Sequence, residues 1–429
     1  MRRAVRLLWS LVILSAVWLS GASLAAAEQL PVPERVLFDE AIRRAIEGNP
    51  NIAEAAQAIL QAETLLQQAL SVYRPTLTGA VTTTVLDAAR GFNDLVTQPR
   101  TQTLAGVSLS YPVLAASRWA ARAQADDQVQ VARLGVAETR RQIALATAVA
   151  YLAVIAQQRQ VDVNLRAREN AIAHVEYARA LLKEGAGSRL NELRAAQELA
   201  TDDVLLEAAR LALRRGQEAL GVLVAADAPI DAGAEPAFEL STALPDPSWL
   251  KGRADVQLFS ARIDAAERVY RDSWLDWVPT ATASFEPQLV TPAGLFQPSR
   301  TWRGFVSMSV PILDAGTRRI AKRQREVAVG TARLQLTEVE LQARSELRAA
   351  QVAVESTERG LASARLAAQH AVDVLKITDV AFRAGATTNL ELIDAQRRAR
   401  DADTAAAQAE DRVRQARLDL LVALGRFPQ

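Results

Sequence analysis

Cysteine is absent from all 429 residues. That excludes disulfides, thiolate metal sites and a lipidated amino-terminal cysteine. Histidine occurs twice, at His174 and His370, so a tight transition-metal site is not expected. Both histidines lie in predicted helices and read as surface positions. Aromatics are only 5% of a chain that is 50% hydrophobic. The apolar content is mostly Ala, Leu and Val, which suits long helices in close contact better than a thick globular core. Beyond the amino terminus no run of about 18 apolar residues occurs, so no membrane-spanning helix is predicted. No Gly-rich phosphate loop, nucleophile elbow or zinc motif is present. No constellation for catalysis appears either, so the chain reads as a non-enzyme with no cofactor. The basic run KRQRE at Lys322–Glu326 reads as the solvated face of a charged helix.

What is present begins with residues 1–27, which have the form of a secretory signal. Arg2, Arg3 and Arg6 precede the apolar stretch Leu7–Leu19, and Ala25-Ala26-Ala27 supplies the small-residue cleavage pattern. The mature chain is expected to start at Glu28. An uncleaved anchor helix is the alternative, which the shortness of the stretch disfavours. Without the three arginines the balance is 47 basic against 49 acidic residues, a net charge of −2 that gives no sign of nucleic-acid binding.

The chain is two copies of one unit. VSLSYPVL at Val107–Leu114 matches VSMSVPIL at Val306–Leu313, and KEGAGSRLNELRAAQ at Lys183–Gln197 matches RAGATTNLELIDAQ at Arg383–Gln396. RPTLTG at Arg74–Gly79 resembles VPTATA at Val278–Ala283. The repeat length of about 200 residues far exceeds that of solenoid repeats, so a whole structural half is duplicated. The first half is expected at residues 28–224 and the second at 253–425. Between them lies a Pro/Asp/Ala-rich linker at 225–252 that reads as loop, and 426–429 form a tail.

Each half predicts a helix, two strands, a very long helix and a returning helix. The long helices are expected at about 114–184 and 313–384, the returning ones at about 188–224 and 388–424. Apolar residues recur at seven, as in Ile320, Val327, Leu334 and Leu341, in Val129, Val136, Ile143 and Ala150, and in Leu199, Leu206, Leu213 and Leu220. Such heptads mean coiled-coil seams. By themselves they favour a solid rod or bundle over a hollow sheath, and only the strands reverse this. Asn49-Pro50 supplies an N-cap followed by proline at the first helical position. Gly185 and Gly385 sit where the long helices turn back, with Ser188 and Thr388 as caps of the returning helices.

Four segments alternate with period two, at about 76–86, 103–113, 280–286 and 302–310. Leu77, Val81 and Val85 oppose Thr78, Thr82 and Thr84, and Val306 and Met308 oppose Ser307 and Ser309. Apolar on one face and small polar on the other is the pattern of a transmembrane barrel strand. Trp119, Trp274, Trp277 and Trp302 flank these segments, with Tyr73, Tyr111 and Tyr270 nearby, as in the aromatic belts at membrane interfaces. Four strands leave open edges, which a bilayer does not tolerate. The chain is therefore expected to oligomerise: a dimer would give eight strands and a trimer twelve.

These residues resemble the TolC-like outer-membrane efflux proteins. The resemblance is carried by LFDEAIRRAIEGNP at Leu37–Pro50, Pro75 and Pro279 at strand starts, the VSLSYPVL and VSMSVPIL pair, the two Gly-x-x-Ser/Thr turns, and Arg253-Ala254-Asp255 opening the second half. It spans Leu37 to Gly425. The implied fold is mainly α with transmembrane β. A homotrimer forms a twelve-stranded barrel in the outer membrane, continued by an α-helical barrel in the periplasm of a Gram-negative cell. Implied partners are a periplasmic adaptor docking at the tips, around Gly185, Ser188, Gly385 and Thr388, an inner-membrane pump of RND or ABC type, and outer-membrane lipid. The function implied is the passive exit duct of a tripartite efflux or type I secretion system. A carboxylate ring from Glu391 and Asp394 is implied at the pore entrance. The family's polar lock is not preserved, because Phe382, Thr387 and Asn191 replace its tyrosine, arginine and acid, so apolar closure by Phe382 and Leu390 is the remaining expectation there. A poreless periplasmic coiled-coil scaffold is the competing reading.

Overall fold

The computed structural model describes residues 32–92, 95–240, 248–293 and 298–427. The expected signal at 1–27, part of the expected linker and the end of the expected tail lie outside them. The elements, in order, are β1 (Glu34–Val36), α1 (Phe38–Gly48), α2 (Pro50–Ser71), β2 (Thr76–Val85), β3 (Arg90–Phe92), β4 (Leu95–Gln98) and β5 (Thr101–Leu114). Then follow α3 (Ala116–Lys183), α4 (Arg189–Leu223), β6 (Ile230–Ala232), the short α5 (Trp249–Gly252), α6 (Ala254–Arg271) and a 3-10 helix at Asp272–Trp277. The chain ends in β7 (Thr280–Thr291), β8 (Arg300–Ser309), α7 (Thr317–Arg383) and α8 (Asn389–Ala423).

The two long helices have 68 and 67 residues, about 100 Å each at 1.5 Å per residue. Their contacts place them in a single layer of helices. Towards the sheet the order is α2, α3, α6, α7; towards the far tips it is α4, α3, α8, α7. One edge of the layer is thus α2 with α4, and the other is α7. Heptad positions supply residues buried against the neighbouring helices. Val129, Val136 and Leu206 are buried, as are Val329, Ala343 and Ala350. The series Ile320, Val327, Leu334 and Leu341 faces away from every other helix and is 57–72% exposed.

The caps form as the sequence predicts. Asn49 Oδ1 accepts from Asn51 N at 3.0 Å with Pro50 at the start of α2, and Ser188 Oγ accepts from Asn191 N. Thr388 and Glu391 make a reciprocal capping box. Gly185 and Gly385 both take φ +75°, the left-handed turn that lets Ala186 N and Ala386 N reach back to Leu181 O and Ala381 O. The second long helix starts later than expected, at Thr317. Ala315 and Gly316 have φ of 55° and 87°, and the Asp314 carboxylate accepts from the Gly316 and Arg318 amides. That turn, rather than continuous helix, joins β8 to α7.

The four alternating segments form one antiparallel sheet in the order β2-β5-β7-β8. β7 runs to Thr291, beyond the expected end at 286, because alternation continues through Phe285, Pro287 and Leu289. Pro287 has no N–H to give to β5, and the β5–β7 pairing lapses opposite it, between Gly106 and Leu109. A small hairpin, β3 with β4, tops the loop between β2 and β5.

The expected linker is not loop throughout. Its Ile230–Ala232 segment is a wholly buried strand, β6, paired in parallel with β1. The cause is a core formed by Val36, Ala41, Val154, Ile155, Leu220 and Ile230 around Tyr151. Tyr151 is fully buried, and its hydroxyl donates to one of Val36 O (3.0 Å) and Ala234 O (2.9 Å) while accepting from Ala234 N.

Candidate channel wall and helical tips

Register fixes which side chains share a face of the sheet. Leu77 pairs with Leu109 and Leu109 with Phe285, while Tyr111 pairs with Ala283 and Ala283 with Val306. Thr78 pairs with Ser108, Ser110 with Ser284 and Thr282 with Ser307 on the opposite face. One face is therefore mainly apolar and the other mainly small hydroxyls, as the alternation predicts, with Phe305, Leu104 and Val290 among the hydroxyls. The hydroxyl face also carries an ion pair, Arg303 Nε to Glu286 Oε2 at 2.7 Å, with Arg303 lying over Phe305 at 5.5 Å. Sequence reading placed Glu286 only at a strand end, because β7 was expected to stop there.

The flanking aromatics gather at the strand–helix junctions. Tyr73 and Trp119 stack at 6.5 Å. Arg318 covers Trp277 at 4.2 Å and Lys322 approaches Tyr270 at 5.7 Å. Trp274 and Tyr111 stand exposed. Trp302 lies nearer the other end of the sheet, 72% exposed and 5.8 Å from Phe285.

At the tips, Glu391 and Asp394 project from one exposed turn of α8. Glu391 Oε2 accepts from Thr388 N at 3.2 Å, and Asp394 is paired with Arg398 at 3.0 Å. Leu390 is exposed. Phe382 stands apart from them, half-buried against α3, where it stacks on His174 at 5.6 Å and meets Tyr177 edge-on at 5.8 Å.

His174 corrects the sequence reading. It is 6% exposed rather than a surface residue, with Nε2 2.7 Å from Asn389 Oδ1, while His370 is exposed as expected. Burial pushes the His174 pKa down, against the upward pull of the Asn389 hydrogen bond and of Asp379. Asn389 Nδ2 also reaches Asn191 O at 3.5 Å. One buried polar contact thus touches α3, α4, α7 and α8. Nothing local signals it, because His174 and Asn389 lie 215 residues apart.

The seam between the α3/α4 and α7/α8 hairpins is ionic further along. Buried Glu198 accepts from Arg397 at 2.8 Å, and buried Asp202 accepts from Arg400 at 2.6 Å. Burial raises the Asp202 pKa, opposed by Arg400. Among the described residues no group of three or more His, Asp or Glu could hold a metal ion.

Several solved structures share this architecture. The Campylobacter jejuni CmeC outer membrane channel superposes with a TM-score of 0.78 at 15% identity, covering 91% of this chain and 85% of that one. The Vibrio cholerae outer membrane protein VceC gives 0.75 at 17% identity, over 90% and 96%. The open-state Neisseria gonorrhoeae MtrE outer membrane channel gives 0.74 at 17%, over 91% and 90%. No curated protein matches by sequence. The fold, a helical layer carrying a four-stranded sheet with one apolar face, is that of an outer-membrane channel protomer. Residues 247–426 match the family described as outer membrane efflux protein.

Proposed function

We propose that three copies of this chain close into an outer-membrane exit duct that carries substrates passively out of a tripartite efflux or secretion system. The observation that carries this reading is that sheet and helical layer each end in two unpartnered edges. Among the described residues β2 and β8 have no outer neighbour, and the exposed apolar heptads of α7 face nothing. A head-to-tail ring joins each edge to the opposite edge of the next copy and leaves no strand unpaired. Twelve strands at about 4.8 Å spacing and about 40° tilt close to a backbone diameter of about 24 Å. The Thr and Ser face turns inward and keeps the bore open, while the apolar face meets lipid.

The duct lies in the outer membrane with its helices in the periplasm. It is a conduit, and energy enters through an inner-membrane pump reached by a periplasmic adaptor. The adaptor docks on the helical turns at Gly185–Ser188 and Gly385–Thr388. Glu391 and Asp394, repeated three times, ring the entrance and attract cations. Leu390 stands beside them on the exposed turn, and Phe382, packed on His174, backs that turn.

Single-channel recording in a planar bilayer tests the reading. The expected result is discrete, cation-selective steps whose selectivity weakens in Glu391→Gln/Asp394→Asn. Glutamine at 391 preserves the capping box while removing its charge. Steps with unchanged selectivity would discard the carboxylate ring and keep the duct. A folded, membrane-extracted oligomer that never conducts would favour the poreless scaffold.

A further inference from the structure

We propose that a collar of basic side chains at the strand–helix junctions seats the headgroups of anionic glycerophospholipids in the leaflet that faces the helices. The inference rests on the membrane-inserted reading above and adds the class of lipid to it.

Register places all four junctions at one end of the sheet. Thr76, where β2 begins, pairs with Ser110 near the end of β5, Leu114 pairs with Ala281, and Thr280 pairs with Ser309 at the end of β8. Arg74, Arg118, Arg122, Arg271, Arg319 and Lys322 cluster around that end, and all six are exposed. In the helices, Arg122 and Lys322 lie within about 10 Å of the helix starts at 1.5 Å per residue. That depth matches a headgroup layer of about 5–8 Å.

Charge at this level is not balanced within the protomer. The acids here are already engaged: Asp127 by Arg268, Asp276 by Arg325, Asp314 by Arg318, Asp272 by Gln124 and Glu326 by Arg323. Asp126 is the acid left over. The five arginines of the collar have no side-chain hydrogen bond or ion pair among the described residues, and Lys322 touches only the ring of Tyr270. On α2, which the ring closure brings towards α7 of the next copy, the acids are Glu54 and Glu63. Both lie at least eight residues before its sheet-proximal end at Ser71. A neighbouring copy therefore does not neutralise the collar through that helix.

The same level carries Tyr73, Trp119, Tyr270, Trp274 and Trp277. Aromatic rings of this kind sit at a headgroup boundary, with one side wet and the other apolar. Arg318 and Lys322 lie against two of these rings, so cations and interfacial aromatics share one surface. A guanidinium binds a phosphate diester through paired N–H groups, and basic groups near a membrane surface favour anionic over zwitterionic lipid.

The tryptophans supply the readout. Full-length channel is reconstituted in phosphatidylcholine vesicles containing a minor fraction of either phosphatidylglycerol or phosphatidylcholine brominated in the acyl chains, and tryptophan quenching is compared. The expected result is that brominated phosphatidylglycerol quenches about two- to fivefold more at equal mole fraction. The preference should shrink in Arg118→Gln/Arg122→Gln, fall to parity when all six positions are Gln, and weaken in the native protein near 1 M salt, where charges are screened within about 3 Å. Salt requires no altered chain, so misfolding of a variant does not decide the matter. Equal quenching by the two lipids in the native channel, or a preference that survives both the substitutions and salt, overturns the collar and leaves the duct intact. Absence of quenching by either lipid, in vesicles that do not conduct, overturns the membrane-inserted reading itself.

Discussion

Single residues hold this fold at points the surrounding sequence does not advertise. Tyr151 binds the backbone of both β1 and the β6 segment from the middle of α3. Tyr151→Phe leaves those buried carbonyls and the Ala234 amide short of a partner, so it should cost about 1–3 kcal/mol. Denaturant unfolding of the solubilised protein checks this. His174 has its pKa lowered by burial from the ordinary 6.5. The folded tip therefore binds its proton less readily than the unfolded chain does. The contribution of His174 is complete above 6.5 and is lost as pH falls through the lowered folded value. Protease cutting at the tips should rise between about pH 7 and pH 5, and His174→Gln, which stays neutral, should flatten that rise. The groups facing His174 are Asn389, Phe382 and Asp379, the last already paired with Arg383. Neither Tyr151 nor His174 was legible beforehand, because each acts through partners about 80 or more residues away.

Elements were more legible, since their signals are local. Asn49-Pro50, Ser188 and Thr388 mark helix starts by the chemistry of their own side chains, and Gly185 and Gly385 mark turns by the conformation only glycine takes freely. Added carbon at Gly385 meets nothing within 4 Å, so the cost of substitution there is backbone strain alone. Gly385→Ala should destabilise the tip by about 1–2 kcal/mol, and Gly385→Asn by less, because asparagine tolerates the left-handed region. Hydrogen exchange of the amides on either side of the turn measures the difference. Where the ends of elements departed from expectation, a residue with two meanings was responsible. Pro287 reads as a strand breaker, yet β7 continues through it with only a lapse in pairing. Asp314 and Gly316 lie in a stretch with helical periodicity, yet they fold into a capping turn. Arg318 holds the Asp314 carboxyl at about 2, so the cap persists at any ordinary acidity.

At the scale of the whole molecule, the protomer is unfinished by design of its edges. Leu334 and Leu341 are 72% and 59% exposed. Replacing both with Lys should leave protomer folding unchanged while removing about 1.5–3 kcal/mol of burial per side chain from each subunit contact. Light scattering should then report monomer in place of the proposed trimer. The duplication, the long helices and the alternating strands were readable from one chain. The partner surface was readable only as a lack, in the form of heptads with no seam to fill and strands with no outer neighbour. That lack also has a genetic meaning. In the proposed head-to-tail closure every copy must offer two sound edges, and one lame copy interrupts the ring. In a cell making native and edge-defective chains in equal amounts, about one three-copy ring in eight would be wholly native. A recessive-looking loss in β2 or β8 should therefore behave as a dominant one.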